Sequence, residues 1–254
     1  MDVANRMMHS RSKIPALPSS WLVRNPSITV SRPQTNFIPG LPARGKSLIA
    51  QKAQRYLKWL SIDAEVFNVG NYRRGATPQP SADFFDIKNR EGERLRRAAA
   101  EAAVSDMIDW FEKGKGTIAI LDATNSTKGR RRWIQERCDS ANIATMFVES
   151  ICDDEDIIMS NILEVKTTSP DYVGQDPDKA AQDFRNRIRN YEKVYQTIDE
   201  EESDLTYLKI ISVGKQVIIN RIQDYLQSRV VYYLMSLHIK PRSIWLSRVS
   251  FRIL

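Results

Sequence analysis

A glycine-rich octapeptide, G-L-P-A-R-G-K-S at residues 40–47, contains the residue types that bind phosphate groups. It matches the pattern G-x-x-x-x-G-K-[ST] at each fixed position. In such a loop, glycines let backbone N–H groups face phosphate oxygens, Lys46 reaches the β- and γ-phosphates, and the Ser47 hydroxyl ligates Mg²⁺. The alternative is a chance glycine turn, but the amphipathic helix that begins at Ser47 favours a phosphate-binding loop.

A carboxylate follows the apolar run T-I-A-I-L at residues 117–121. Asp122 suits either organisation of Mg²⁺ or acceptance of a hydroxyl proton, and a plain strand-end turn residue is the alternative. Strand alternation puts Thr124 on the same side as Asp122. Arg187 and Tyr191 stand one helical turn apart, so both side chains can contact one ligand.

Several arginines are candidates for holding an acceptor phosphate. Most arginines in proteins are solvated surface residues, so only a minority of these are expected to be ligands. The candidates are Arg73, Arg74, Arg96, Arg97, Arg130, Arg131 and Arg132.

Helix-like and strand-like segments alternate from Ser47 onward, which is typical of a parallel sheet with crossover helices. We therefore expect an α/β fold of three layers, in which a mostly parallel sheet of the P-loop NTPase type carries helices on both faces. The predicted strands cover residues 64–69, 117–121, 145–151 and 205–213, and the predicted helices cover residues 46–60, 131–140, 178–197 and 216–237. A long helix with Leu95, Ala99, Ala103, Met107 and Phe111 on one stripe precedes Gly114, and another helix follows the acidic residues 153–156.

The segment before the loop does not fit this plan. A phosphate-binding loop follows a buried strand, yet Pro33 and Pro39 are both unfavourable in a central strand. We therefore expect a short, irregular first strand there, or a damaged one. Residues 1–35 are rich in Ser, Pro, Arg and Asn and are predicted to form a disordered extension.

Composition disfavours several classes of protein. Residues 1–46 hold seven basic residues and one acid, which is +6 of the net charge of +7, so a nucleic-acid-binding face is not expected on the remainder. The longest apolar runs are too short to cross a membrane. Two cysteines without a signal-peptide pattern indicate a reducing compartment, so we expect a cytoplasmic protein, with an organelle transit peptide as the alternative.

Seven blocks occur in the order and spacing of a known family. They are G-L-P-A-R-G-K-S, F-N-V-G-N-Y-R-R, L-D-A-T-N-S-T, V-E-S-I-C-D-D, S-N-I-L-E-V-K, S-P-D-Y and N-R-I-Q-D-Y-L-Q-S-R-V-V-Y-Y-L-M. From about Ile38 to Leu246 the chain resembles the kinase half of 6-phosphofructo-2-kinase/fructose-2,6-bisphosphatase. The resemblance implies a kinase-like domain over residues 36–246, with residues 247–254 as a short tail.

The resemblance also implies a reaction and its ligands. The reaction is ATP-dependent phosphorylation of fructose 6-phosphate at its 2-hydroxyl, which gives fructose 2,6-bisphosphate and regulates glycolysis. It requires ATP and Mg²⁺, and a homodimer is possible. The C-R-H-G-E motif that follows in the family is absent from the last residues, V-S-F-R-I-L, so no phosphatase activity is expected.

Site residues carry over by motif. Lys46, Asp122 and Cys152 would be catalytic, although a buried strand-end thiol is an equal reading of Cys152. Ser47 and Asp122 would hold the metal. ATP would contact Gly40, Leu41, Pro42, Ala43, Arg44, Gly45, Lys46, Ser47, Asn161, Ile162, Leu163, Glu164, Val165 and Lys166. Fructose 6-phosphate would contact Arg73, Arg96, Thr124, Arg130, Lys166, Arg187 and Tyr191.

Two other functions stay open. One is a nucleotide-binding but inactive regulatory or oligomerisation partner, which the irregular first strand would explain. The other is a different small-molecule or polynucleotide P-loop kinase, which the family blocks disfavour.

Overall fold

One sheet organises the computed structural model, which describes residues 32–77 and 80–237. Its strands are β1 Gln34–Ile38, β2 Ala64–Asn68, β3 Ile118–Asp122, β4 Ala144–Ile151, β5 Tyr207–Ile211 and β6 Gln216–Asn220. They lie in the order β2-β3-β1-β4-β5-β6, and each pair is parallel except β5 with β6. The expected mostly parallel α/β sheet is confirmed.

Helices cover both faces of this sheet. The α-helices of the described residues are α1 Lys46–Trp59, α2 Val69–Ala76, α3 Arg90–Glu112, α4 Lys128–Ser140, α5 Glu155–Thr168, α6 Pro177–Glu192 and α7 Tyr225–Met235. On one face, Ile38 of β1 packs in a core with residues of α1 and α7. On the other face, Phe37 packs with residues of α3 and α4. Adjacent β1 residues thus enter opposite cores, as strand alternation requires.

The first strand corrects the expectation of an irregular segment before the phosphate-binding loop. All five residues of β1 are buried, and the strand pairs with β3 on one edge and β4 on the other. Pro33 and Pro39 lie just outside the strand, and their carbonyl oxygens extend its hydrogen bonding to β4. Pro33 O accepts from Ala144 N at 2.9 Å, and Pro39 O accepts from Ser150 N at 3.3 Å. The strand begins at Gln34, so two residues assigned to the extension belong to the sheet, while residues 1–31 lie outside the described part.

The C-terminal part also differs from the prediction. Residues 216–237 do not form one helix, because Val217, Ile218 and Ile219 are β-branched and pair as β6 with β5. A turn through Gly214 at φ 84° joins the two strands. Helix α7 begins later, where the Asp224 side chain accepts from Leu226 N at 2.6 Å.

The segment V-G-N-Y-R-R forms α2, so Val69 belongs to this helix and not to the strand predicted at residues 64–69. Its glycine and asparagine are weak helix formers, but Val69 and Tyr72 pack against the core beneath α3, and this packing supports the helix. The predicted stripe on α3 is confirmed, since Ala99, Ala103 and Met107 are buried. Among residues 32–77 and 80–237, no helix is long and apolar enough to span a membrane.

Candidate functional site

The glycine-rich loop leaves the centre of the sheet directly after β1 and leads into α1. Gly40 has φ 144°, and a Cβ there would lie 2.8 Å from Ser150 O, so only glycine fits beside the end of β4. Gly45 has φ 74°, in the left-handed region, and stands immediately before α1. The loop thus places its backbone at the N-terminus of a 14-residue helix, where the helix dipole favours anions.

Lys46 lies over the mouth of this loop. Its Nζ donates a hydrogen bond to Leu41 O at 2.6 Å. Burial lowers the pKa of Lys46 to about 8; the Asp122 carboxylate opposes the shift, and Arg187 and Arg44 add to it. A phosphate anion would stabilise the charged ammonium, so the residue is arranged for a ligand more negative than the carbonyl it now contacts.

A carboxylate faces this lysine from the end of β3. Asp122 is in register with Ile38 of β1 and Asn68 of β2, which places three strand ends side by side. Its Oδ2 accepts from Ser47 Oγ at 2.6 Å and from Asn68 Nδ2 at 2.7 Å. Asp122 is 5% exposed, so these two hydrogen bonds fix the orientation of a nearly buried carboxylate.

The hydroxyl and carboxylate oxygens of Ser47 and Asp122 suit Mg²⁺, which prefers oxygen ligands and keeps waters and substrate phosphates in its other positions. Only one or two protein ligands are needed for such a site. The donor set therefore fits the ion, although no group of three or more His, Cys, Asp or Glu side chains occurs among the described residues.

One cleft of about 810 Å³ connects this end of the sheet with a group of arginines. Its walls come from the glycine-rich loop, α2, α3, the β3–α4 loop and α6. Eleven predicted site residues line it together, namely Pro42, Ala43, Lys46, Ser47, Arg73, Arg96, Asp122, Thr124, Arg130, Arg187 and Tyr191. The volume is within the range of small-molecule sites.

Arg73 and Arg187 converge on one buried carboxylate at the far end of the cleft. Asp171 is 3% exposed, and its two oxygens each accept from Arg73 Nη2 at 2.7 Å. Arg187 Nη1 donates to Oδ2 at 3.0 Å, and Arg74 lies 3.4 Å from Oδ1. Burial disfavours the charged carboxylate, but Arg73 and Arg187 outweigh it and lower the pKa of Asp171. The carboxylate therefore stays ionised and holds the arginines at one point.

Two further arginines in the cleft have no such partner. Among the described residues, neither Arg96 nor Arg130 has a carboxylate within salt-bridge distance. Arg96 donates to Phe84 O, and the Arg130 guanidinium stacks on Trp133 at 4.9 Å. Burial lowers the pKa of both guanidiniums. An anionic ligand bound in the cleft would neutralise these two half-buried cations.

An aromatic ring supports this end of the cleft. The Arg187 guanidinium lies 3.9 Å above the centre of Phe85, and Arg73 lies 5.6 Å from it. The centre of the Tyr191 ring lies 5.7 Å from that of Phe85. Stacking of this kind restricts the guanidiniums without consuming their N–H donors.

Other predicted residues are not brought into the cleft. Cys152 is buried directly after β4, and it is not part of the described lining. Asn161 Nδ2 donates to Ala43 O at 2.8 Å, so the start of the 161–166 segment touches the glycine-rich loop. Ile162 is buried in the core between α5 and α6, and Leu163 is half exposed. The side chains of residues 165–168, including Lys166, lie outside the description.

Some lining residues were missed by the motif-based prediction. Asn68 was findable, because it lies next to last in the strand predicted at residues 64–69; in the sheet it stands beside Asp122. Asn125 is 3% exposed, and its Nδ2 has no hydrogen-bond partner among the described residues. Asp171 and Phe85 come from short 3₁₀ turns, Pro170–Tyr172 and Ala82–Phe85, and their approach to Arg73 depends on the tertiary fold.

A glycine-rich loop on the central strand, a Lys-Ser pair at the start of the next helix and an acidic residue on the neighbouring strand define a P-loop kinase fold. Comparison of sequences gives the particular family. The family model described as 6-phosphofructo-2-kinase matches residues 32–241, and the chain belongs to this family.

Curated relatives agree with this assignment. The fructose-2,6-bisphosphatase of Saccharomyces cerevisiae is 46% identical over 213 residues, covering 82% of this chain and 47% of that protein. The 6-phosphofructo-2-kinase/fructose-2,6-bisphosphatase 3 of Rattus norvegicus is 44% identical over 237 residues, covering 92% and 42%. The chain therefore spans less than half the length of these relatives. An APS kinase structure from Mycobacterium tuberculosis is 18% identical and covers 80% of this chain and 98% of its own, with a TM-score of 0.44.

Proposed function

We propose that this chain transfers the terminal phosphoryl group of ATP to the 2-hydroxyl of fructose 6-phosphate, which gives fructose 2,6-bisphosphate. The observation that carries the proposal is the composition of the cleft. A phosphate-binding loop with Lys46 and Asp122 lies at one end. The half-buried arginines Arg96 and Arg130 lie at the other, and no carboxylate of the described residues is within salt-bridge distance of either. A cleft with two cationic ends suits a nucleotide and a second phosphorylated substrate.

The side chains would act mainly by positioning and by neutralising charge, as phosphoryl transfer requires. Lys46 would move from Leu41 O to the phosphate oxygens of ATP, while the backbone N–H groups of residues 40–47 surround them. Ser47 and Asp122 would hold Mg²⁺, which offsets negative charge on phosphate oxygens when bound. Asp122 is also the predicted carboxylate at the loop end of the described lining, and it would accept the proton of the acceptor hydroxyl.

The acceptor would be oriented from the opposite end of the cleft. Arg96 and Arg130 would bind its phosphate, and Arg187 with Tyr191 would contact the sugar from one face of α6. Arg73 already donates to both oxygens of Asp171. We therefore infer that it mainly positions the neighbouring side chains and contributes positive charge to the cleft. Lys166 and Cys152 stay predictions from the family motif.

An inactive nucleotide-binding partner is less well supported, because the observation that favoured it was an irregular first strand. Since β1 is buried and paired on both edges, the loop has its structural anchor. One relative is named a fructose-2,6-bisphosphatase, so hydrolysis of that product also needs a direct assay.

The decisive assay supplies ATP, Mg²⁺ and fructose 6-phosphate and measures ADP together with an acid-labile sugar bisphosphate. We expect both products in equal amounts. ADP release without the bisphosphate would contradict the proposal, and so would binding of ATP without turnover, which indicates the inactive partner. Fructose 2,6-bisphosphate given alone tests for phosphatase activity. The domain limits 36–246, a homodimer and a cytoplasmic location remain predictions.

A further inference from the structure

A second cavity, of about 300 Å³, lies between α5 and α6 on the side away from the cleft. It shares no described lining residue with the cleft, because α6 presents Arg187 and Tyr191 to the cleft and a different face to the cavity. Its lining consists of Arg44, Glu155, Ile158, Met159, Ile162, Arg185, Ile188, Arg189 and Glu192.

Arg44 enters this cavity from the glycine-rich loop. Its backbone belongs to the phosphate-binding loop, and its carbonyl oxygen accepts from Ser150 Oγ at 2.7 Å, but its side chain points between the two helices. The guanidinium side chain is 6% exposed, yet it makes one hydrogen bond, from Nη1 to Pro42 O at 3.2 Å. Its Nε is buried without a partner among the described residues.

The counter-charge of Arg44 is weak for so buried a cation. Among the described residues, the carboxylate within salt-bridge distance is that of Glu192, at 3.8 Å from Nη2, and its side chain is 47% exposed. A buried guanidinium normally has a close, hydrogen-bonded anion, because five donors are otherwise removed from water without compensation. The cavity therefore contains a cation that lacks a full anionic partner.

The rest of the lining is apolar below and charged at the rim. Ile158, Ile162 and Ile188 are buried and form the floor. Arg185 and Arg189 lie exposed on α6, and Glu155 and Glu192 balance them. With the buried Arg44, the described lining has three guanidiniums and two carboxylates, a net charge of +1. Apolar walls with a few convergent charged groups are typical of small-ligand sites, and 300 Å³ is at the small end of their range.

We propose that this cavity binds a small monocarboxylate with a short hydrocarbon chain. The carboxylate would pair with the Arg44 guanidinium in place of distant Glu192, and the chain would lie on the isoleucine floor. The volume is too small for a nucleotide together with its triphosphate, and the single net charge suits one carboxylate better than a dianion. This inference does not depend on the kinase activity proposed above.

The test uses hexanoate as the probe, with hexanamide as a neutral analogue of the same shape and acetate as the same charge without the chain. Isothermal titration calorimetry of the full chain at low salt is expected to show one hexanoate site. Hexanamide and acetate should each bind at least tenfold more weakly than hexanoate. The hexanoate affinity should stay within twofold when the cleft is filled with Mg²⁺ and a non-hydrolysable ATP analogue. Equal binding of hexanamide, or displacement of hexanoate by the nucleotide analogue, would overturn the proposal.

Two variants address the position of the site. Arg44→Met removes the charge and keeps the length of the side chain, so hexanoate should bind at least tenfold more weakly, whereas Arg55→Met removes an exposed charge of α1 and should have no effect. Met159→Trp fills the cavity from α5 and should abolish binding without touching the loop. Near-ultraviolet circular dichroism identifies a variant that has not folded. Unchanged hexanoate affinity in a folded Met159→Trp variant contradicts the proposed position.

Discussion

The two ends of the cleft are built in different ways. The phosphate-loop end rests on backbone geometry, because β1, β2 and β3 end in register and place Ile38, Asn68 and Asp122 side by side, two residues before Gly40 opens the loop. The arginine end rests on side chains from helices and 3₁₀ turns, which Asp171 and Phe85 hold together. The comparison teaches that the donor end is fixed by the sheet, whereas the acceptor end depends on a few charged contacts that a single substitution can remove.

The largest expected effect is at the sheet end. Lys46→Met removes the ammonium group over the loop, and we expect kcat/KM for ATP to fall by roughly 10³-fold, about 4 kcal/mol of transition-state stabilisation. The matched control is Lys58→Met, which removes a lysine that is 56% exposed at the end of the same helix. Steady-state kinetics of both variants measure the effect; equal activity in the two variants would show that Lys46 plays no part in transfer.

Removal of the charge at Asp171 should give the next effect, at the arginine end. Asp171→Asn leaves Arg73, Arg74 and Arg187 close together with no anion between them, and breaking a buried pair costs about 3–5 kcal/mol. We expect the KM for fructose 6-phosphate to rise about 100-fold, with the KM for ATP changed less than threefold. The control Asp204→Asn breaks an ion pair that is about half exposed.

If both KM values of Asp171→Asn rose together, the two ends of the cleft would not be independent, and the comparison between them would fail. Thermal unfolding of the variant separates a general loss of stability from a local effect, because a stable variant with a selective KM defect indicates positioning of the arginines.

A smaller effect is expected for an arginine that lacks a carboxylate partner. Arg96→Ala removes a donor to the acceptor phosphate without breaking an ion pair. The KM for fructose 6-phosphate should rise about tenfold, which corresponds to the loss of about 1.5 kcal/mol of binding free energy from one charged hydrogen bond. Arg94→Ala is the control, because its exposed pair with Glu91 lies on the same helix and outside the cleft lining. Similar KM values in the two variants would exclude Arg96 from acceptor binding.

The smallest effect is a pH dependence at the loop end. Since burial lowers the pKa of Lys46 to about 8, the free protein loses the ammonium charge as pH rises through that value, whereas bound phosphate favours the charged form. ATP binding should therefore take up a proton above pH 8, and the affinity should fall about fivefold between pH 7.5 and 9. Calorimetry in buffers of different ionisation enthalpy measures the proton. An affinity that is flat over this range contradicts the assignment.

The sequence was most informative where structure is local. The loop glycines, Lys46 and Ser47 are adjacent in the chain, and the apolar stripe of α3 repeats with the period of a helix. Those features were predictable because their spacing is set by backbone geometry. The family motifs also named the arginines that line the cleft.

The remaining features depend on contacts between distant segments. The chain separates Arg73 from Asp171 by 98 positions, and nothing near either residue indicates their pairing. Helix α2 was missed because its own residues are weak helix formers and its stability comes from packing. Strand β5 was predicted, but its partner β6 was missed because the apolar residues of β6 also fit a helical stripe.

The two prolines that made β1 difficult to predict have a consequence for how the chain folds. They stand directly before Gln34 and after Ile38, so a slip of the strand by one residue in either direction would bring a proline nitrogen into the ladder in place of an N–H donor. The same slip would turn Phe37 and Ile38 to the opposite faces of the sheet. Each of the two cores would then receive the side chain that now packs in the other. We therefore expect Pro33 and Pro39 to act as end stops that permit a single alignment of the central strand, the one that delivers Gly40 beside Ser150.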